Sequence, residues 1–96
     1  MSLLKNPSHP GEVLKQLYLT PLDLSALALA KKLLVPRTRI ERLVAGETAV
    51  SADTAMRLAR YFGTTPEYWL NLQRAWDLVR IRATLDVSEI TPLEAA

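Results

Sequence analysis

LSALALAKKLLVPRTRIERLVAG, residues 24–46, reads as two short helices joined by a tight turn. Ser25 can cap a helix over about Ala26 to Leu33, because its hydroxyl can accept from a free backbone N–H at the helix start. Ala28 and Ala30 let another backbone come close. Leu29 and Leu33 share a face at i, i+4 spacing and are expected in the core. Val35-Pro36 marks a restart: proline disfavours helical geometry at the residue before it and suits the first turn of a new helix. In the second helix Ile40, Leu43 and Val44 fall on one face. Thr38, Glu41, Arg42 and Ala45 fall opposite, flanked by Arg37 and Arg39. Gly46 then ends the helix as a left-handed C-terminal residue. Residues 25–33 and 36–45 thus suit a helix-turn-helix unit, whose second helix enters the DNA major groove.

An amphipathic helix pair in a small bundle gives the same periodicity, and surface arginines are usually just solvated. Charge favours the DNA reading. Residues 24–46 hold Lys31, Lys32, Arg37, Arg39 and Arg42 against Glu41, a net of +4 in a chain that is only +2 overall. A basic unit in an otherwise slightly acidic chain is the footprint of a local polyanion site. Arg37, Thr38, Arg39, Glu41 and Arg42 are therefore the candidate DNA-binding residues. Thr38 and Arg42 sit nearest the centre of the outer face and are the expected base readers. Arg37 and Arg39 flank it and are expected on phosphates.

Composition bounds the alternatives. Ninety-six residues make one domain with a modest core. With no cysteine there is no disulfide framework or thiolate metal site, and the single His9 leaves no histidine cluster. No metal or cofactor is expected. No apolar run approaches the ~20 residues of a membrane span, and no secretory signal is visible, so a cytoplasmic protein is expected, with no membrane partner. An enzyme is not expected either: there is no thiol nucleophile, and no carboxylate pair that the helical faces would bring together. Asp53 and Glu67 read as helix-start residues.

The rest of the pattern is helical. Residues 1–8 read as a flexible arm. The first helix starts near Pro10, with Glu12 in its first turn and Val13, Leu14 and Leu17 as its core face, and Thr20-Pro21 breaks it. Ser51 or Ala52 opens the fourth helix, with Ala55, Leu58, Ala59 and Phe62 inward and Gly63 closing it. Thr64-Thr65-Pro66-Glu67 starts the fifth, with Thr64 and Glu67 spaced for a capping box; it runs to about Ala83. The domain then spans residues 9–84, and residues 85–96 form an acidic, Pro-interrupted tail, expected to be irregular or mobile.

The fifth helix is apolar on two sides. Trp69, Leu72, Trp76, Val79 and Ala83 line one; Leu70, Leu78, Ile81 and Leu85 line nearly the other. A helix apolar on two sides must bury both, so one side is expected to meet a partner chain. Trp69, Leu72, Trp76 and Val79 are the candidate dimer interface. A twofold dimer would set two recognition helices about one DNA turn apart.

Several short segments also carry a family likeness. His9-Pro10-Gly11-Glu12, Leu29-Ala30, Val35-Pro36-Arg37, Arg39-Ile40, Ala52-Asp53-Thr54-Ala55, Arg57-Leu58-Ala59 and Pro66-Glu67-Tyr68-Trp69-Leu70-Asn71-Leu72-Gln73 resemble the HigA-type (VapI-like) antitoxins, within the Xre and lambda-repressor-like helix-turn-helix class. The likeness covers about residues 9 to 83. It implies an all-α, five-helix lambda-repressor-like domain and a homodimeric antitoxin. Such proteins bind a HigB-type toxin, a small ribonuclease that cuts ribosome-associated mRNA, and repress their own operon at double-stranded operator DNA. Four positions depart from the pattern. Ala26 replaces a polar residue, Leu34 the usual turn glycine, Ala45 a common Asn, and Glu47 a usual Lys or Arg. At Leu34 the turn must either avoid left-handed geometry or carry its steric cost. Two other readings stand beside the antitoxin: a free-standing repressor without a toxin partner, and a protein-interaction module whose DNA face has decayed.

Overall fold

His9 Nδ1 accepts from the Gly11 backbone N–H at 2.9 Å and so caps the first helix, α1 (Pro10–Leu14). Pro10 follows at the first helical position, where its missing N–H costs nothing. A computed structural model describes residues 7–94. Most of the arm expected over residues 1–8, and residues 95–96 of the tail, lie outside the described residues. Among the described residues there are five α-helices and no strand: α1, then α2 (Ala26–Leu33), α3 (Arg37–Val44), α4 (Ala52–Phe62) and α5 (Pro66–Thr84). No helix among them is long and apolar enough to cross a membrane.

Between α1 and the following loop the chain widens into a π-helical turn, Lys15–Leu19, with the Thr20 N–H donating to the Lys15 carbonyl at 2.9 Å. The wider turn changes the expected core face. A residue five positions on falls back under its predecessor, so Leu14 and Leu19 are both buried while Leu17 is 50% exposed. Leu17 is therefore not a core residue.

Ser25 caps α2 as expected, its hydroxyl accepting from the Ala28 N–H at 3.0 Å. The turn into α3 does not avoid left-handed geometry. Leu34 has φ 61° and ψ 43°. The Val35 N–H returns to the Ala30 carbonyl and the Leu34 N–H to Lys31, the Schellman pairing that normally uses glycine. Gly46 and Gly63 end α3 and α4 in the same left-handed way. For a leucine this geometry costs about 1–2 kcal/mol.

The core gathers Leu14, Leu29, Ile40, Leu43, Leu58 and Trp69, all fully buried or nearly so. Ser51 caps α4 through the Thr54 N–H. The cap of α5 is Thr65, not Thr64: the Thr65 hydroxyl accepts from the Tyr68 N–H at 3.1 Å. Thr64 is instead taken by the Trp69 indole N–H, which donates to its hydroxyl at 2.8 Å. Tyr18, Phe62 and Tyr68 close around Trp69, with ring centroids 5.2, 6.4 and 5.0 Å from it. Trp69 is 0% exposed within its own chain. It has no surface to offer a partner, so its expected place in a dimer interface is corrected to the protomer core. Trp76 is half-buried, edge-on to His9 and under the Arg80 guanidinium. Leu72 is half-buried against the core. Of the four expected interface residues only Val79 is exposed, together with Leu78, Ile81 and Leu85. Residues 85–94 carry no helix and are exposed throughout.

Candidate nucleic-acid interface

α3 buries Ile40 and Leu43 and turns Arg37, Thr38, Arg39, Glu41 and Arg42 outward, as the periodicity predicts. Its position is set from behind. Gly11 passes the end of α3 with no room for a side chain: a β-carbon there would overlap the Leu43 carbonyl. The opening His9-Pro10-Gly11-Glu12 is thus a cap followed by a close helix crossing. His9 is held in place by its cap and by Trp76, and burial lowers its pKa below the ordinary histidine value, with the Thr48 backbone and Asp77 drawing it partly back.

The outward side chains are not equally held. Arg39 Nη1 donates to Asp53 Oδ1 at 2.6 Å, across from α3 to the first turn of α4. Arg57 Nε meets the same oxygen at 2.8 Å, and Arg57 Nη1 donates to the Leu33 carbonyl at 2.8 Å. One carboxylate therefore ties the recognition helix to α4, and Arg57 carries the tie back to the end of α2. Arg57 also satisfies a carbonyl that the helix leaves free beside the strained Leu34. Hydrogen bonds from Arg57 and Arg39 hold the Asp53 carboxyl below the usual carboxylate range. Asp53 is thus more than a helix-start residue. Arg39 keeps most of its five N–H donors available. Arg37 meets Glu41 at 3.4 Å on an exposed face, an arrangement worth a few tenths of a kcal/mol and easily exchanged for another anion. Among the described residues no salt bridge holds Arg42.

Thr38, Arg39 and Arg42 share a shallow concavity of about 440 Å³ with Thr48 and Ser51, from the loop between α3 and α4. Gln73 fixes that loop. Its Oε1 accepts from the Val50 N–H at 2.8 Å, and its Nε2 donates to Asp77 at 2.9 Å. Of the four departures, Ala26 packs half-buried against the core, while Ala45 and Glu47 are exposed just beyond the concavity. Sequence reasoning missed Thr48, Ser51, Arg57 and Gln73. The i, i+4 spacing of Asp53 and Arg57 is readable as a helix pair. Nothing local shows that Arg39 and Leu33 complete it.

The helix-turn-helix family model matches residues 14–69. The chain is 53% identical over 70 residues to virulence-associated protein I of Dichelobacter nodosus, covering 73% of this chain and 65% of that one; it spans less than two thirds of that relative. A HigA-family addiction-module antidote protein from Coxiella burnetii is 42% identical, with a TM-score of 0.83 and coverage of 92% of this chain and 99% of that one. The structure of Pseudomonas aeruginosa antitoxin HigA with the higBA promoter is 38% identical, TM-score 0.83, covering 91% and 98%.

Proposed function

Because the chain belongs to the HigA-type helix-turn-helix family, we propose that it is a toxin-neutralising antitoxin which also represses its own operon. In this reading two copies bind double-stranded operator DNA with α3 in the major groove of each half-site, in the bacterial cytoplasm, and the protein binds a HigB-type ribonuclease toxin. The observation that carries the DNA half is the concavity: Thr38, Arg39 and Arg42 converge with Thr48 and Ser51 on one exposed surface. Arg42 and Thr38 read base edges. Arg37 and Arg39 hold phosphates. The hydroxyls and backbone N–H groups at the start of α4 add further phosphate donors, since a helix start favours anions.

The dimer forms through the exposed apolar side of the second half of α5, Leu78, Ile81 and Leu85 with Val79 at its edge. The side bearing Trp69 belongs to the protomer. The toxin half is supported by the family alone.

Co-expression with the neighbouring open reading frame, followed by co-purification and by salt-dependent titration of the upstream DNA, tests both halves. A stable complex and sequence-dependent binding are expected. Operator binding without a co-purifying partner would leave a free-standing repressor. A toxin complex with equal affinity for operator and scrambled DNA would leave neutralisation alone.

A further inference from the structure

We propose that a groove between the end of α2 and the outer face of α4 receives residues 85–94 of a second copy of this chain. The groove, about 480 Å³, is lined by Lys32, Leu34, Met56, Arg57, Arg60 and Tyr61. It is apolar and basic together: Leu34, Met56 and Tyr61 are 82, 60 and 42% exposed. Among the described residues no salt bridge engages Lys32 or Arg60. The most exposed of these side chains stands on the left-handed turn position where glycine is the easier residue. A leucine kept in strained geometry and turned to solvent points to something that covers it.

The complementary surface is on the same chain. Residues 85–94 contain Asp86, Glu89 and Glu94 and no cation, interleaved with Leu85, Val87, Ile90 and Leu93. These four apolar side chains are all more than half exposed. Among the described residues the segment's hydrogen bonds are local: Leu85 N–H to the Ile81 carbonyl, Ile90 N–H to the Val87 carbonyl and Ser88 N–H to Asp86. Three acidic and four apolar side chains meet Lys32 and Arg60, with Arg57 already on Asp53, and three exposed apolar side chains, so the groove and the tail are complementary in charge and in apolar surface. A nucleic-acid backbone would satisfy Lys32 and Arg60 but leave the leucine, methionine and tyrosine uncovered.

The occupant comes from another copy because the chain's own tail is at the wrong end. Arg60 and Tyr61 lie just before α5 begins at Pro66, whereas the tail leaves α5 about 28 Å away, at its far end. Returning Leu93 to Tyr61 would stretch the eight residues beyond Leu85 to their limit of about 26–29 Å. None would be left to turn inward. A second copy, packed antiparallel on Leu78 and Ile81, delivers its tail beside the first copy's α5 start. This inference rests on the α5 dimer proposed above and does not use the DNA reading.

The chain has no cysteine, which allows a direct test in the full-length protein. Met56→Cys and Leu93→Cys, both at exposed positions, are prepared separately, mixed, and oxidised. A disulfide-linked heterodimer is expected, weakened by high salt and lost when Glu89→Lys and Glu94→Lys are added to the Leu93→Cys chain. Gln16→Cys, exposed on the π-turn, mixed with Leu93→Cys gives the background. A yield no higher than that background overturns the proposal. So does an exclusively intrachain disulfide when both cysteines are placed in one chain. Protection of Met56→Cys from alkylation by duplex DNA, with no effect of the tail charges, would assign the groove to nucleic acid instead.

Discussion

Gly11 and Leu43 meet where α1 crosses the end of α3, and a β-carbon at position 11 would overlap the Leu43 carbonyl oxygen. Backbone against backbone leaves no flexible side chain to move aside. Gly11→Ala must therefore push α1 off the recognition helix or tilt α3. Overpacking of this kind costs about 1–3 kcal/mol. The expected outcome is a lower urea midpoint together with weaker operator binding by the folded fraction. Unchanged stability would mean that the crossing is looser than its geometry.

Most of the fold is legible locally. Ser25, Ser51 and Gly63 act where their types place them, because caps depend on a few neighbouring residues. The outward side of α3 follows from period alone. What the sequence hides is whatever depends on two distant segments. The π-turn moves Leu19 into the core in place of Leu17, which a 3.6-residue period does not show. Both apolar sides of α5 look equivalent in sequence, yet Tyr18 and Phe62 claim the Trp69 side. Gln73 is a polar residue on a mixed helix until Val50 donates to it.

The turn before the recognition helix should be improvable. Leu34 is exposed at φ 61°. Leu34→Gly removes about 1–2 kcal/mol of left-handed strain and returns about 0.5–1 kcal/mol as backbone entropy. A net gain of roughly 0.5–1 kcal/mol is expected, whereas the β-branched Leu34→Val should lower stability. Denaturant unfolding of both variants decides the sign.

Folding should depend on the protonation of His9. Its Nδ1 accepts from the Gly11 N–H, and burial lowers its pKa. With the folded value below the unfolded one, the unfolded chain binds the proton more readily. Stability is therefore fully present above the ordinary histidine range and declines as pH falls from about 7.5 toward 5.5. His9→Asn keeps a capping acceptor and should flatten that slope. His9→Ala should flatten it too, and also lose about 1 kcal/mol of cap. Unfolding midpoints across this range are the measurement.

The two sides of α5 should separate in assembly. Trp69→Ala empties the centre of the core and should cost about 3–5 kcal/mol, seen as loss of cooperative unfolding at moderate temperature. Ile81 is half-exposed and lies outside the core cluster, so Ile81→Glu should leave the protomer folded. It places a charge on the proposed contact, where burial without a partner is costly. Sedimentation should show a folded monomer for Ile81→Glu. A dimer that survives Ile81→Glu and Leu78→Glu together would place the interface off this helix.

The exposed arginines of α3 should divide by how they are held. Arg42 has no salt bridge among the described residues and shares the concavity with Thr38. It is free to present its planar fork to the two acceptors of a guanine, a contact that discriminates by about 1–3 kcal/mol. Arg37 rests against Glu41 at 3.4 Å. To bind a phosphate it must exchange one anion for another, so part of its attraction is cancelled in the free protein. Arg42→Ala should narrow the gap between operator and scrambled DNA. Arg37→Ala should weaken both alike and reduce the salt slope by about one charge. Glu41→Gln should do the reverse of Arg37→Ala, strengthening binding to both sequences, because it frees Arg37 and removes an anion from the face that meets phosphates. Affinities measured for the three variants at several salt concentrations test the assignment. Uniform loss of affinity with Arg42→Ala, at unchanged preference, would make it a backbone contact and move base reading to Thr38 and Arg39.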